Sequence, residues 1–398
     1  MTLLKKRLIT SLLAISSSAV LIAGCSSSGS SEGAADASAA YQGPVGDTAG
    51  TINILAWPGY AEDGSTDPAV DWVTPFEKET GCTVNVKSYG TSDEAVQLMQ
   101  SGGYDVVSAS GDASLRLIYG GDLQPVNLDL IPNYVDIFDN LKDRPWNTVD
   151  GLNYGVPHGR GANVLSYNME KVTPAPDSWS VVWEANSPLK GKLTAYDSAI
   201  YIADAAVYLM STKPELGITD PYALDQTQFD AAMALLAQQK PLVSEYWSDY
   251  LKYIESMNSG SLLGGTSWQV IVNALNAEKQ FVGAVKPKEG ATGWSDTWMI
   301  SKNTEAIDCA YKWLNWIVKP DVNAQAAEWF GEAPSNSKAC ALTANKDHCK
   351  LFHAEETDYW KDVYYWKTPT EACLDGRTDV KCVPYSEWVK AWSSFRSA

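Results

Sequence analysis

Three tryptophans of this 398-residue chain stand in Gly- or Ser-containing segments, where a large aromatic side chain can line a cleft. They are Trp57, Trp268 and Trp294, and each follows or ends a predicted strand. Ligands of open α/β sheets bind at the carboxyl ends of the strands. Aromatic faces attract cations, and a neighbouring carboxylate can hold an ammonium group by a charge-assisted hydrogen bond. The sequence therefore predicts a cleft for a small amine at these loops. Tryptophans on predicted helical segments are interpreted as core residues: Trp313, Trp316 and Trp329.

Motifs of enzymatic catalysis are scarce in the same sequence. It contains neither a His-Glu-x-x-His motif nor a P-loop, and its Gly-x-Ser-x-Gly, at 29–33, lies in a stretch that cannot form a nucleophile elbow. We therefore predict a binding protein without cofactor, not an enzyme. A secreted hydrolase-like or bifunctional enzyme is the competing hypothesis, and it needs His158 to meet Ser108 or Ser110 in the folded chain. A structural adhesion lipoprotein, a third class, would have no enclosed cleft.

The N-terminus is typical of a secreted protein. Lys5, Lys6 and Arg7 precede an apolar stretch at 8–22, which predicts a signal peptide over residues 1–24. The segment that ends at Cys25 resembles the bacterial lipobox, in which the cysteine carries a lipid; an ordinary cleavage site is the alternative. Residues 25–50, rich in Ser, Gly and Ala, are predicted to form a flexible linker between lipid and folded chain. We expect the protein outside the cytoplasm, lipid-anchored on the outer face of the membrane or in a periplasm.

The other six cysteines are an even number, which in a secreted chain predicts disulfide bonds. Proximity along the chain favours Cys340–Cys349 and Cys373–Cys382, which leaves Cys82–Cys309 as a long-range bridge, although sequence alone leaves the connectivity open. A metal site is the alternative for one group: Cys340, His348, Cys349 and His353. Its spacing matches no standard zinc pattern, so we predict no metal.

The net charge of the chain argues against some classes of binding partner. Removing residues 1–24 takes away three positive charges and no negative ones, so the net charge moves from −18 to −21. So acidic a protein is a poor match for nucleic acid or an anionic lipid surface. A cationic ligand is compatible with this charge.

Strands and helices alternate along the chain after the linker. Predicted strands are 52–57, 83–89, 104–108, 192–196, 262–265 and 281–286. Predicted helices are 67–80, 92–101, 229–239, 309–318 and 322–330. This βαβ rhythm predicts an α/β fold with mostly parallel sheets flanked by helices. We place a first lobe at 51–158 plus 298–340. The second lobe is placed at 159–297 plus 341–398, with a disulfide-stapled C-terminal segment.

Several segments, taken in order, resemble the spermidine/putrescine-binding group of bacterial extracellular solute-binding proteins. They are residues 52–60, 104–110, 152–168, 193–197, 266–268, 290–300 and 330–336. Further segments resemble a subfamily of polyamine-type receptors: 195–197, 201–206, 366–369 and 382–388. The resemblance implies a two-lobed periplasmic-binding-protein fold, type II-like, joined by crossing hinge strands. It also implies a monomer that closes on a polyamine such as putrescine or spermidine and docks on the permease of an ABC importer.

The resemblance assigns ligand-binding roles to particular residues. From the first lobe it implies Trp57, Tyr60, Ser108 and Ser110. From the second lobe or the crossover it implies Asp197, Trp268, Trp294 and Asp296. Asp296 is the best candidate for the ammonium partner, because it lies two residues after Trp294.

Two positions depart from the pattern of that group. Ile200 replaces its second acid, so a second ammonium group would lack that partner. Arg160 stands where polyamine receptors place an aromatic residue, and a buried arginine binds carboxylates. Two hypotheses follow: a polyamine receptor, or a receptor for a zwitterion such as 4-aminobutyrate or another amino acid. Arg160 could instead face solvent or pair with one of the many acids.

Overall fold

Residues 40–277 and 279–398 are described by the computed structural model. The predicted signal peptide, Cys25 and the first part of the linker, through residue 39, lie outside the described residues. Within the described part, no helix combines the length and the apolar character that crossing a bilayer requires.

The first of two five-stranded sheets is built mainly from the N-terminal third of the chain. Its order is Thr83–Ser88, Thr51–Ala56, Val106–Ala109, Thr297–Ile300, Gly155–Pro157. All neighbouring strands are parallel except Thr297–Ile300, which is antiparallel to both of its neighbours. Short apolar strands joined by helical crossovers give this mostly parallel arrangement, as predicted.

The second sheet repeats the same order with later segments. It runs Val243–Trp247, Leu193–Tyr196, Gly264–Ser267, Val164–Asn168, Val282–Val285. Again only the fourth strand, Val164–Asn168, is antiparallel. In each sheet, the antiparallel strand is the one that directly follows, along the chain, a strand of the smaller sheet described next. The predicted two-lobed α/β fold is confirmed.

A third, smaller sheet joins the two, and we call it the crossing sheet. Its order is Ala333–Pro334, Gly159–Ala162, Ala291–Trp294, Val363–Tyr365. The chain leaves the first sheet through His158 and returns to it through Ser295 and Asp296. The His158 N–H donates to the Asp296 carbonyl at 2.8 Å, so the two crossovers touch. The exact division into lobes at 158/159 and 297/298 stays a prediction. A two-stranded hairpin pairs Thr148–Val149 with Leu152–Asn153.

Helices flank the sheets, and local signals explain several of their ends. The helix at Gln226–Gln239 starts with a reciprocal capping box between Asp225 and Gln228. The predicted helix at 67–80 begins only at Val73. Before it, the backbones of Asp63 and Asp71 form an isolated β-bridge, and the turn between them contains Pro68. The α-helices of the described residues are Val73–Thr80, Ser92–Ser101, Gly111–Tyr119, Ser180–Trp183, Ile202–Thr212, Gln226–Gln239, Tyr250–Asn258, Gln269–Asn276, Ile307–Ile317, Pro320–Phe330, His348–Leu351 and Tyr385–Ser397.

Disulfide bonds follow the predicted pairing. Cys82 is bonded to Cys309, Cys340 to Cys349, and Cys373 to Cys382. Because Cys340 and Cys349 are bonded to each other, they cannot act as the thiolate ligands of the alternative metal site. The C-terminal helix Tyr385–Ser397 packs against the turn Ala199–Tyr201 beside the second sheet.

Candidate functional site

A cavity lies where the two large sheets and the crossing sheet meet, and we call it the tryptophan cavity. It is lined by Trp57, Ser110, Trp268, Trp294, Asp296, Phe330 and Trp366. The volume of the cavity is about 10 Å³. That is room for about one water molecule, so the walls are nearly in contact.

Strand ends position most of the predicted residues of this wall. Trp57 follows strand Thr51–Ala56, Trp268 follows Gly264–Ser267, and Trp294 ends Ala291–Trp294. The ring centroids of Trp57 and Trp268 are 5.8 Å apart, and those of Trp268 and Trp294 are 6.1 Å apart. The structure therefore brings together the three tryptophans that the sequence singled out, although their strands belong to three different sheets.

Asp296 is the acidic group of the cavity, and it is 2% exposed. The hydroxyl of Ser110 donates to its Oδ1, and the hydroxyl of Tyr60 donates to its Oδ2 at 2.8 Å. Burial nevertheless raises the pKa of Asp296 to about 7, because no nearby cation among the described residues offsets the loss of hydration. A ligand cation would supply that missing charge.

A second buried acid, Glu332, lies beside Asp296, and sequence reasoning missed it. Glu332 is 1% exposed, and the Tyr60 hydroxyl lies 3.3 Å from its Oε2. Burial, together with the charge of Asp296, raises the pKa of Glu332 well above its usual range. Two carboxylates thus share one tyrosine hydroxyl, an arrangement that favours a proton on one of them at neutral pH.

His158 completes this network as a neutral side chain. The indole N–H of Trp298 donates to Nδ1 at 3.0 Å, so the ring carries its proton on Nε2, 3.3 Å from Glu332 Oε1. Burial lowers the pKa of His158 to about 3. Ser110 donates to Asp296, and Ser108 Oγ accepts the Trp57 backbone N–H at 3.4 Å. The serine–histidine contact that the enzyme hypothesis required is therefore not formed.

The strand Gly159–Ala162 explains both the packing of the acid and the position of Arg160. A Cβ at Gly159 would lie 2.5 Å from the Glu332 carboxyl carbon, and one at Gly161 would overlap the Trp294 ring. These glycines therefore let Glu332 and Trp294 pack against bare backbone. Since side chains alternate along a strand, Arg160 is directed to the opposite face.

Arg160 is thus placed away from the cavity, contrary to its predicted role as a carboxylate binder. Its guanidinium lies 4.2 Å from the ring centroid of Trp360 and donates to the Ala354 carbonyl at 2.9 Å. The alternatives of solvent exposure and of pairing with an acid do not describe it either, since it is buried and stacks on an indole. Its position indicates a role in holding the C-terminal segment against the crossing sheet.

An Arg160→Met variant is accordingly expected to lose stability and to keep its ligand affinity. Removing the cation–π contact and the hydrogen bond is expected to lower the free energy of unfolding by about 1–3 kcal/mol. The dissociation constant for the ligand, predicted from the sequence to be an amine, should change by less than about twofold. Urea unfolding and isothermal titration calorimetry measure the two quantities. A loss of affinity larger than about tenfold, with stability unchanged, would return Arg160 to the ligand.

Asp197 also lies away from the tryptophan cavity. Both of its carboxylate oxygens accept hydrogen bonds from Arg396, at 2.9 and 3.1 Å, and the Trp392 indole N–H donates to it at 3.1 Å. These partners come from the C-terminal helix, which sequence reasoning did not place here. The predicted ammonium-binding role of Asp197 is therefore not supported, because a cation of the chain already neutralises it.

Phe330 and Trp366 are wall residues that sequence reasoning did not assign. Both lie in segments that carried the family resemblance, 330–336 and 366–369, which was the available signal. Trp366 is held by its backbone N–H, which donates to the Gly293 carbonyl at 2.9 Å, and its ring stacks on Tyr196 with centroids 6.0 Å apart. The wall therefore contains five aromatic side chains and one acid.

Comparisons with known proteins agree on one family. The sequence profile described as "Bacterial extracellular solute-binding protein" matches residues 71–351. The putrescine-binding periplasmic protein SpuD of Pseudomonas aeruginosa is 27% identical over 310 residues, which cover 74% of this chain and 80% of that protein. Two solved structures share the fold with TM-scores of 0.67 and 19% identity over 87% of this chain. They are the spermidine/putrescine substrate-binding protein PotD of Streptococcus pneumoniae, covered over 99%, and the TpPotD lipoprotein of Treponema pallidum, covered over 100%.

Proposed function

Because the chain belongs to the family of bacterial extracellular solute-binding proteins, we propose that it captures a small organic amine outside the cytoplasm for an ABC importer. Membership of this family makes it a solute-binding component of transport rather than an enzyme. The single observation that carries the amine proposal is Asp296, a buried acid in an aromatic wall that has no cation beside it among the residues that the structure describes. The names of the relatives, which bind putrescine and spermidine, support the same class.

The arrangement of the wall suggests how an amine would be held. Trp57 and Ser110 follow strands of the first sheet, Trp268 follows a strand of the second, and Asp296 is part of a crossover. A ligand in the cavity would touch both lobes at once, so its binding energy would favour the closed arrangement. The permease would then recognise the closed protein.

The amine proposal is tested by calorimetric titration of the purified protein with putrescine, spermidine, choline and 4-aminobutyrate. Binding of at least one amine is expected, and at a hundred times its dissociation constant it should stabilise the protein by about 2.7 kcal/mol. Matched ligands without a cationic nitrogen, such as a diol and a dicarboxylate, should leave the thermal midpoint unchanged. Binding of these neutral or acidic compounds, with no amine binding, would overturn the proposal.

The buried acids predict that pH acts oppositely on stability and on affinity. Burial raises the pKa of Asp112 to about 6 and those of Asp204 and Asp296 to about 7. The folded protein then keeps protons that the unfolded chain releases near its ordinary pKa of 3.8. The stability of the ligand-free protein should therefore be highest at about pH 4, apart from other groups, and fall as pH rises through about 7. Affinity for a permanent cation should instead rise up to about pH 7, by about tenfold per pH unit, as Asp296 ionises.

Urea unfolding without ligand and calorimetric titration with choline, each between about pH 5 and pH 8, measure the two trends. An Asp296→Asn variant provides the control, because its residual affinity should lose the pH dependence. Affinity that is constant over this range in the unmodified protein would contradict an ionising carboxylate at the ligand.

A lipid at Cys25 is the proposed means of retention at the membrane. The serine-rich stretch that follows Cys25 and the named lipoprotein of Treponema pallidum support this proposal. Growth of the expressing bacterium with a labelled fatty acid should label the unmodified protein and leave Cys25→Ser unlabelled. Ser26→Ala, the neighbouring control, should keep the label. A label that persists in Cys25→Ser would place the lipid elsewhere.

A further inference from the structure

The chemical composition of the wall of the tryptophan cavity also restricts which class of amine it can bind. Building on the proposed function, we infer that the ligand is a compact monocation whose single charged nitrogen is shielded by carbon substituents, as in a methylated ammonium. Diamines and polyamines, which carry two or more exposed ammonium groups, match this wall less well. Three properties of the wall carry the inference: its number of acids, its hydrogen-bonding groups and its aromatic faces.

Asp296 is the single acid among the residues that line the cavity. The other buried or half-buried acids of this region do not line the cavity. Glu332 lies behind the wall with Tyr60 and His158, and Asp112 accepts from the Ser92 hydroxyl at 2.9 Å. Asp197 is paired with Arg396, as described above. A second ammonium group in the cavity would therefore be buried without an acidic partner, which is strongly unfavourable.

The hydrogen-bonding groups of the wall point the same way. A primary ammonium brings three N–H donors, each of which needs an acceptor when buried. Asp296 already accepts hydrogen bonds from Ser110 and Tyr60. The indole N–H groups of Trp57 and Trp366 are buried without a partner among the described residues, and both are donors. The wall thus has spare donors and few spare acceptors, which disfavours a ligand rich in N–H.

A methylated ammonium avoids both difficulties. When its nitrogen is quaternary it carries no N–H, and when it is tertiary it carries a single one; in both cases the charge is spread over a surface of C–H groups. Such a surface is attracted to the faces of tryptophan rings, and aromatic cages are the usual means by which proteins recognise quaternary ammonium ligands. Four tryptophans and a phenylalanine surround Asp296 here, so one acid balances the charge and the rings contact the substituents.

Choline and ethanolamine form a matched pair of probes, because they share the hydroxyethyl group and differ in three N-methyl groups. Calorimetric titration of the purified protein at about pH 8 keeps Asp296 ionised. We expect choline to bind at least about tenfold more tightly than ethanolamine and at least about tenfold more tightly than putrescine. Tetramethylammonium should also bind more tightly than ethanolamine.

Replacement of one ring shows whether the aromatic wall causes the difference. Trp268→Leu should reduce the affinity for choline by about tenfold and that for ethanolamine by less. Trp329→Leu is the matched control, since Trp329 is also half-buried but does not line the cavity. Thermal midpoints without ligand show that both variants fold.

The outcomes separate the two proposals. If putrescine or spermidine binds most tightly, the inference of a monocationic ligand is wrong, and the proposed function of amine binding is retained. Equal binding of choline and ethanolamine, or an equal loss of both in Trp268→Leu, would also overturn it. Binding of no amine at all would overturn the proposed function and this inference together.

Discussion

Asp296→Asn is expected to abolish most of the affinity for the amine, by about 30-fold to several thousandfold. The substitution keeps the shape and the hydrogen-bonding oxygen, and it removes the negative charge that faces the ligand. Truncating one partner of a buried charge pair costs about 2–5 kcal/mol, and every 1.4 kcal/mol is about a tenfold change in affinity. Calorimetric titration at about pH 8, where Asp296 is ionised, measures the loss directly.

Asp204→Asn is the matched control for this experiment. Asp204 is also buried, accepts a hydrogen bond from the Thr292 hydroxyl at 3.0 Å, and has its pKa raised to about 7 by burial. It does not line the tryptophan cavity. Its replacement should change affinity by less than about twofold, since the removed charge does not touch the ligand. A comparable loss in both variants would mean that Asp296 acts through overall charge and not through contact.

Both variants are expected to be at least as stable as the unmodified protein at about pH 8 without ligand. An ionised carboxylate without a cationic partner is costly to bury, and the neutral amide removes that cost. In the proposed function, Asp296 would therefore be a group that costs the fold stability and serves binding, which is typical of functional sites. Loss of affinity with retained stability would distinguish this role from a structural one.

The amino-acid sequence predicted the elements of the site better than the contacts between them. Trp57, Trp268 and Trp294 could be singled out because each lies at or just after the end of a strand, where ligands of α/β sheets bind. Local pattern was sufficient there. Glu332 gave no such local signal, because its importance depends on Tyr60 and His158, which are far away in sequence.

Arg160 and Asp197 show the two reasons why residue type alone misled. Gly159 and Gly161 mark the face of their strand that is directed toward the cavity, and Arg160 lies on the opposite face. The direction of the Arg160 side chain therefore depends on the register of the strand, which residue type does not reveal. Asp197 does end a strand, as predicted, but Arg396 reaches it from a helix almost two hundred residues later. A partner at that distance in sequence cannot be deduced from spacing.

The repeated strand order explains why the proposed ligand site coincides with the crossovers. In each large sheet the single antiparallel strand, Thr297–Ile300 or Val164–Asn168, arrives from the crossing sheet. The segments that connect the lobes therefore carry His158 and Asp296 at the same place. A change in the angle between the lobes would alter the surroundings of Asp296, so the proposed function would couple cation binding to closure through this one residue.

The bridge between Cys82 and Cys309 is expected to contribute more to stability than either of the other two disulfide bonds. It closes a loop of 227 residues, whereas the other two bridges each close a loop of 9. Restricting the unfolded chain over so long a loop corresponds to about 5 kcal/mol, against about 3 kcal/mol for a short loop. Replacing Cys82 and Cys309 together by serine should lower the free energy of unfolding by up to about 5 kcal/mol in urea.

The native structure gives a second reason for this large effect. Cys82 precedes the edge strand Thr83–Ser88, most of whose side chains are exposed, so the strand buries little apolar surface of its own. The bridge ties the start of this strand to the helix Ile307–Ile317. Cys340→Ser with Cys349→Ser is the matched control, and it should cost about half as much. Amine affinity should survive in both, because neither bridge lines the tryptophan cavity; equal costs would contradict the loop-length argument.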